Sequence, residues 1–395
     1  MGSNRHIELP SGWEMKELID AVDFLDGKRK PIKDSDRAKM KGIYPYYGAS
    51  GIIDYVNDFI FDEELILLGE DGANIINRSS KLAFKVTGKI WINNHAHVLR
   101  PKTGVMTDYL VEYLESLRYD KYNTGTAQPK LNKEICSSIP ILVPPYKEQI
   151  AISDIISTWD TAIQTTQALI SQKEAEKKWL MQNLLTGKKR LKGFSGDWEE
   201  MKMSELFSPL KDINDGGDSH SIMTISSKLG LISQEDKFDR VIAGDSLKRY
   251  TQIKKGDFAY NKGNSKTYPM GCIYRLEEKG SALVPFVYIC FRPKEKVDGS
   301  FYKQWFLDYG LDRQLNQIIT SGARGDGLLN VNTDDFFKLK VPYLQFEEQT
   351  AIAQVLQTAD KEIELLKTKL EHQKLQKKGL MQVLLTGKVR VKNLN

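Results

Sequence analysis

Seam positions recur at alternating steps of four and three along two stretches of this chain. In the first they fall at Ile152, Ile156, Trp159, Ile163, Thr166, Ile170, Lys173, Lys177, Leu180 and Leu184. In the second they fall at Ile352, Leu356, Ala359, Ile363, Leu366, Leu370, Gln373, Lys377, Leu380 and Leu384. This spacing is the seam of a coiled coil and predicts a long helix over each stretch. At 1.5 Å per residue, 148 to 185 would extend roughly 55 Å. That is too long and exposed for an ordinary core helix, so each is expected to pack along the other. Gly187 and Gly387 follow the last seam residue, where C-cap glycines commonly stand.

The two stretches are copies. Residues 148–192 and 348–392 align without gaps and share nineteen identities, where unrelated segments would share about three. The repeat ends in Leu180-Met181-Gln182 and Leu184-Leu185-Thr186-Gly187-Lys188, matched by Leu380-Met381-Gln382 and Leu384-Leu385-Thr386-Gly387-Lys388. The polar seam residues indicate orientation. Parallel pairing in register would set Lys177 against Lys377. Antiparallel pairing centred on Thr166, Ile170, Leu366 and Leu370 instead puts Lys177 near Ala359 and Lys377 near Trp159. There each stem covers apolar surface while its ammonium reaches water.

Before each helix the pattern changes to short apolar runs, among them Leu65-Ile66-Leu67-Leu68, Leu82-Ala83-Phe84 and Val284 to Phe291, separated by glycine and asparagine. These read as short strands joined by loops. Both regions open alike, at Trp13-Glu14-Met15-Lys16 and Trp198-Glu199-Glu200-Met201-Lys202. Both close alike, through Leu131-Asn132 or Val331-Asn332, then Ile139-Pro140 or Val341-Pro342, then Glu148-Gln149 or Glu348-Gln349. The expected fold is α+β: two globular, strand-rich, α/β-mixed domains, 1–147 and 193–345, joined by two long antiparallel coiled-coil helices, 148–192 and 346–395. The whole forms a pseudo-two-fold internal repeat.

Charge changes this picture little. The net +5 disappears domain by domain: 20 basic and 20 acidic side chains in 1–147, 21 of each in 193–345. A basic binding surface must therefore arise locally. Cys136, Cys272 and Cys290 show no CxxC spacing, which favours a reducing, cytoplasmic setting over a zinc site or disulfides. No membrane span or signal peptide is read.

No catalytic constellation assembles. Val143-Pro144-Pro145-Tyr146 approaches the Asp/Asn-Pro-Pro-Tyr motif of amino-methyltransferases, but valine cannot hold an amino group, and a proline-terminated strand is the better reading. Gly69 to Asn74 lacks the further ligands of an EF-hand. Thr186-Gly187-Lys188 lacks the upstream glycine of a phosphate loop. His95 and His97 alternate on an expected strand but would need a third metal ligand.

Two divergent units, each followed by a copy of one helix, resemble the specificity subunit of type I restriction–modification enzymes. The resemblance rests on the opening Trp-Glu pairs, on the Pro…Glu-Gln-x-Ala-Ile segments at 144–152 and 342–352, and on the paired Leu-Met-Gln-x-Leu-Leu-Thr-Gly-Lys ends. It implies two target-recognition domains, each reading half of a bipartite site in double-stranded DNA. The helix pair would set the gap and dock methyltransferase subunits, two of them, with a motor–nuclease subunit attached indirectly. This chain would be non-catalytic and bind no cofactor. S-adenosylmethionine, and ATP with Mg where a motor is present, would sit on those partners. Candidate DNA-contacting residues in the first domain are Asn74, Arg78, Lys81, Asn94, His95, Thr126, Gln128 and Lys130. In the second they are Lys248, Arg249, Asn261, Lys262, Asn264, Lys266, Tyr268, Arg324 and Asn332. All are polar side chains in turn-rich segments, with Arg324 the leading one. Gly72, Gly125, Gly263 and Gly322 are expected to shape loops. The alternatives are a coiled-coil scaffold whose domains bind protein, and a degenerate methyltransferase.

Overall fold

The computed structural model describes residues 9–125, 128–214, 221–226, 229–238, 244–263, 268–277, 280–308, 310–319 and 329–391. The chain divides into two compact units, 1–168 with 368–395, and 169–367. Each unit is thus a globular domain with half of each long helix. The helices run over Tyr146–Leu184 and Phe346–Leu384, 39 residues each. The units divide both helices near their midpoints because the helix ends are core elements of the domains they meet.

In the first unit the strands are β1 (Glu14–Glu17), β2 (Val22–Phe24), β3 (Lys41–Gly48), β4 (Gly51–Val56), β5 (Phe61–Asp62), β6 (Leu65–Gly69), β7 (Ala83–Val86), β8 (Lys89–Ile92), β9 (Ala96–Pro101) and β10 (Pro140–Val143). They form one sheet in the order β2-β9-β6-β7, a second in the order β4-β3-β8-β5, and a ribbon of β1 with β10. Leu65 to Leu68 belongs to β6 and is buried throughout. Leu65 and Leu67 enter a core with Phe61, Ile90, Ile92 and Val98, while Ile66 and Leu68 enter the larger core with Tyr109, Ile152, Ile156, Leu384 and Leu385. A strand covered on both faces has no polar side to show, so the run reads as continuous.

The second unit repeats this plan with β11 (Glu199–Lys202), β12 (Phe207–Pro209), β13 (Ser221–Ser226), β14 (Gly230–Ser233), β15 (Thr251–Lys254), β16 (Phe258–Asn261), β17 (Cys272–Arg275), β18 (Ser281–Val284), β19 (Ile289–Pro293) and β20 (Lys340–Tyr343). The sheet orders are β12-β19-β16-β17 and β14-β13-β18-β15, with β11 against β20. The parallel pair β3–β8 has its counterpart in β13–β18. Val284 to Phe291 is two strands, not one. Pro285 cannot donate to the ladder, and the chain turns at 285–288 before β19 begins. The core holds Ile352, Leu356, Leu184 and Leu185 among Phe207, Phe258, Phe291 and Phe301.

Both units pair the helices antiparallel, as the seam predicts. In the first, Lys377 Nζ lies 2.6 Å from Asp160 and 3.4 Å from Glu112. In the second, Lys177 Nζ lies 2.5 Å from Asp360, which also accepts from Gln304 Nε2 at 3.0 Å. Lys173 meets Glu362, and Lys367 meets Glu174. The seam lysines therefore stand one residue from the expected neighbours, but their ammoniums end on carboxylates rather than in water. Thr166, Ile170, Ile363 and Leu370 are buried; Trp159, Ile163, Leu180, Leu366 and Leu380 are partly so. At the ends of the seam the packing is against domain cores: Ile152, Ile156, Leu380 and Leu384 in the first unit, and Ile352, Leu356, Leu180 and Leu184 in the second.

The Glu-Gln pairs explain why the repeat begins where it does. Glu148, 1% exposed, accepts from Trp13 Nε1 at 3.0 Å and takes both prongs of Arg390 at 2.8 and 2.7 Å. Glu348 accepts likewise from Trp198 and from Arg190. Burial opposes the charge of Glu148, yet Arg390 and Trp13 hold its carboxyl below the usual range. Gln149 Oε1 accepts from Met106 N, and its amide donates to the carbonyls of Gly104 and Pro144. Gln349 does the same with Asp298, Lys296 and Leu344. Gly187 and Gly387, at φ +70° and +69°, make the turn that returns each arginine. A Cβ there would stand 3.3 Å from Trp198 and 2.6 Å from Pro10, respectively.

Candidate nucleic-acid interface

In the first unit, four segments converge beyond the ends of β3, β6 and β8. Asn93 N donates to Tyr47 O, Glu70 N to His95 O, Gly72 N to Pro129 O, and Leu131 N to Glu70 O. This brings together Asn94, His95, Gln128 and Lys130, all exposed. His95 Nδ1 lies 2.8 Å from Asp71 Oδ2, and Lys130 Nζ lies 3.5 Å from Glu70. Thr126 lies outside the described residues. The loop closes on Asn123, whose Oδ1 accepts from Gly125 N and Lys130 N. A Cβ on Gly125 would fall 1.8 Å from Gln128 O, so no other residue permits this turn.

Two groups, one partly buried and one fully buried, fasten these loops. Arg29 donates to Glu70 at 2.6 Å and to Ala96 O at 2.8 Å. His97, 1% exposed, has Nδ1 2.7 Å from Asp26 and Nε2 2.9 Å from Leu131 O. Both partners are acceptors, so both ring nitrogens donate and the ring is an imidazolium. Burial disfavours that charge, but Asp26 and the neighbouring Cys136 together outweigh it and lift the pKa to about 10. The two histidines therefore do not share a face: His97 is a buried tie, and His95 stands in the turn before β9.

The remaining candidates of the first domain lie elsewhere. Asn74 Oδ1 accepts from Ser79 Oγ and Ser80 N, closing its own loop. Arg78, at φ +51°, donates to Glu115 and lies over the Tyr119 ring, which engages it structurally. Lys81 is exposed and lines a groove with Glu112, Glu115 and Lys377. The domain-wide sums concealed one feature: residues 28–41 carry seven basic and two acidic side chains. Arg29 and Arg37 are spent on internal ion pairs, whereas Lys28, Lys30 and Lys33 are exposed. Lys30 O accepts from Trp91 Nε1, so this run flanks β8 beside the converging loops.

In the second unit the corresponding loops carry other residues. Leu329 N, two residues before Val331, the counterpart of Leu131, donates to Lys262 O after β16. Asn261 Oδ1 accepts from Gly263 N and Tyr268 Oη meets Tyr274 Oη at 3.2 Å, so both shape the loop after β16. Asn332 is a helix N-cap, accepting from Asp334 N at 2.7 Å. Its counterpart Asn132 caps likewise, which accounts for the repeated Leu/Val-Asn pair. Lys248 and Arg249 are exposed at the end of a short 3₁₀ helix, Gly244–Arg249, with the Arg249 guanidinium 4.1 Å over the Phe286 ring. Phe286 was not legible as a site residue, because its partner lies in a distant part of the sequence, at the end of that 3₁₀ helix. Asn264, Lys266, Arg324 and Gly322 lie outside the described residues. Among the described residues no cluster of metal-binding side chains is found, and no helix is long and apolar enough to cross a membrane.

Residues 10–175 match the family described as Type I restriction modification DNA specificity domain. The Type I restriction enzyme MjaVIII specificity subunit of Methanocaldococcus jannaschii is 26% identical over 98% of this chain and 96% of its own length. S.HindORF215P of Haemophilus influenzae, named for the same class, is 36% identical over 144 residues, 36% of each chain. The fold matches the crystal structure of the type I restriction–modification S subunit from M. genitalium with a TM-score of 0.58, at 13% identity over 97% of this chain and 98% of that one. With that domain at 10–175, a second copy of its strand plan, and a relative aligned end to end, this chain carries the type I restriction modification DNA specificity domain and is similar over its whole length to a type I restriction enzyme specificity subunit.

Proposed function

We propose that each unit reads one half of a bipartite target in double-stranded DNA, and that the helix pair sets the gap between the halves. The observation that carries this is the duplicated strand plan with unlike loops. The scaffold strands and the Glu–Arg ties are kept, while Asn94, His95, Gln128 and Lys130 in one unit give way to Lys248, Arg249 and Lys262 in the other. Two modules with one scaffold and different reading edges suit two different half-sites. Lys28, Lys30 and Lys33 are placed to meet phosphates beside the first reading edge. Linking two modest modules raises affinity through effective concentration when the spacing matches.

The outward faces of the long helices are the docking surface for two DNA methyltransferase subunits, with a motor–nuclease joining through them. Exposed Trp179, Leu365 and Leu375 lie off the seam and support this. S-adenosylmethionine is held by the methyltransferase subunits, and ATP with Mg by the motor. Inserting one heptad at the middle of each helix adds about 10 Å and keeps the seam in phase. The methylated motif then gains about three base pairs of gap, at about 3.4 Å each. A gap that stays the same removes the helices as the ruler.

A further inference from the structure

We propose that Phe286 positions Arg249 to read a guanine in the half-site of the second unit. This rests on the reading of the chain as a two-domain DNA-recognition subunit, and adds to it a named reader and its support.

The geometry follows from strand register. Thr251 of β15 stands opposite Val284 of β18 in an antiparallel pair. Continued by two residues, the same register sets Arg249 opposite Phe286. Their separation, 4.1 Å from Cζ to ring centroid, is the shortest of the cation–ring contacts among the described residues. Both sides of the pair are anchored. Tyr288 N donates to Pro285 O, closing the turn that carries Phe286, and Tyr288 Oη accepts from Ile225 N. Tyr250, buried at 5%, packs with Leu283, and its hydroxyl accepts from Gln234.

Two features set the pair apart. Phe286, like Phe238 and Phe346 of this unit, is exposed (45%), and it alone of the three has a guanidinium over its ring among the described residues. Nine of the eleven described arginines hold a carboxylate, and Arg249 is not one of them. A guanidinium stacked on a ring uses its flat face and keeps its in-plane N–H donors free. Those donors match the O6 and N7 of guanine in the major groove. Exposed Lys248 beside it can meet a phosphate. At the same topological position in the first unit, the turn between β8 and β9 presents His95 held by Asp71. The equivalent turn of the second unit carries Phe286, the support of Arg249.

The test uses the full chain co-expressed with its methyltransferase, with methylated bases mapped across random duplex DNA. The second half-site is the half that changes when residues 193–345 are exchanged. Phe286→Leu and Arg249→Lys should each relax the same single G·C position in that half by about tenfold or more, leaving the first half-site intact. Phe286→Tyr, which keeps the ring, should restore discrimination. A uniform loss of methylation across all sequences would make Arg249 a phosphate contact and overturn the assignment, as would unchanged preferences. Loss of the first half-site as well would show damage to the fold; Arg249→Gln, which leaves the ring and turn in place, then decides by the same reading. A wild type with no sequence preference would instead refute the DNA-reading account beneath it.

Discussion

His97 holds two protons because it has nothing but acceptors to donate to. The Asp26 carboxylate and the Leu131 carbonyl take one N–H each. Its folded pKa of about 10 stands above the unfolded value of about 6.5. The stabilisation is therefore complete below about pH 6.5 and is lost as pH rises through about 10. In that window it declines by up to about 1.4 kcal/mol per pH unit. Asp26 acts in the opposite sense. Burial opposes its charge, but His97 lowers its pKa overall, so its contribution holds at neutral pH and is lost in acid. Urea unfolding of the wild type and of His97→Gln at pH 7, 8 and 9 checks this. The stability advantage of the wild type should shrink with each step, and an advantage independent of pH would show a neutral ring. None of this was legible from His95-Ala96-His97 in sequence. The partners lie 71 and 34 residues away, and two alternating histidines read equally well as surface residues.

The long helices were the most legible element, since a seam is written in local spacing. What spacing could not supply was the fate of its polar positions. Lys377 is 14% exposed between Asp160 and Glu112, and burial pushes the Glu112 carboxyl upward against the pull of that ammonium. Lys377→Glu would gather three carboxylates in one partly buried place, costing about 2 kcal/mol or more. Adding Asp160→Lys should recover most of that loss, measured as the unfolding midpoint in urea. A double variant no better than the single one would mean that the seam is held by its apolar residues alone. The Glu-Gln pairs show the same limit. They stood out as repeated residues, but Arg390 lies 242 residues from Glu148 and Arg190 lies 158 from Glu348. Only the fold explains why each arginine follows its glycine turn.

At the scale of the molecule, two regions of near-zero net charge disguised a local excess. The run at 28–41 is plainly basic, but its aspartates and the carboxylates of the rest of the domain cancelled it in the sum. The strand plan was legible as a class and not as a topology. Leu65 to Leu68 announced a buried strand, whereas the parallel pairing of β3 with β8 joins segments more than forty residues apart. Site residues were the least legible. Arg78 and Asn332 were drawn from turn-rich segments for their polarity, and the structure engages the first with Glu115 and the second as a helix cap. Phe286 had no polar signal, yet it supports the best-placed arginine among the described residues.

The central claim is that one scaffold, used twice, reads two half-sites at a fixed distance. The most direct measurement is a map of methylated bases on random duplex DNA, made with the full chain and its methyltransferase. It should be repeated with residues 193–345 exchanged for another recognition domain. The account predicts a bipartite motif with a constant gap, of which only one half changes on exchange. A continuous motif, or one in which both halves change together, would contradict it.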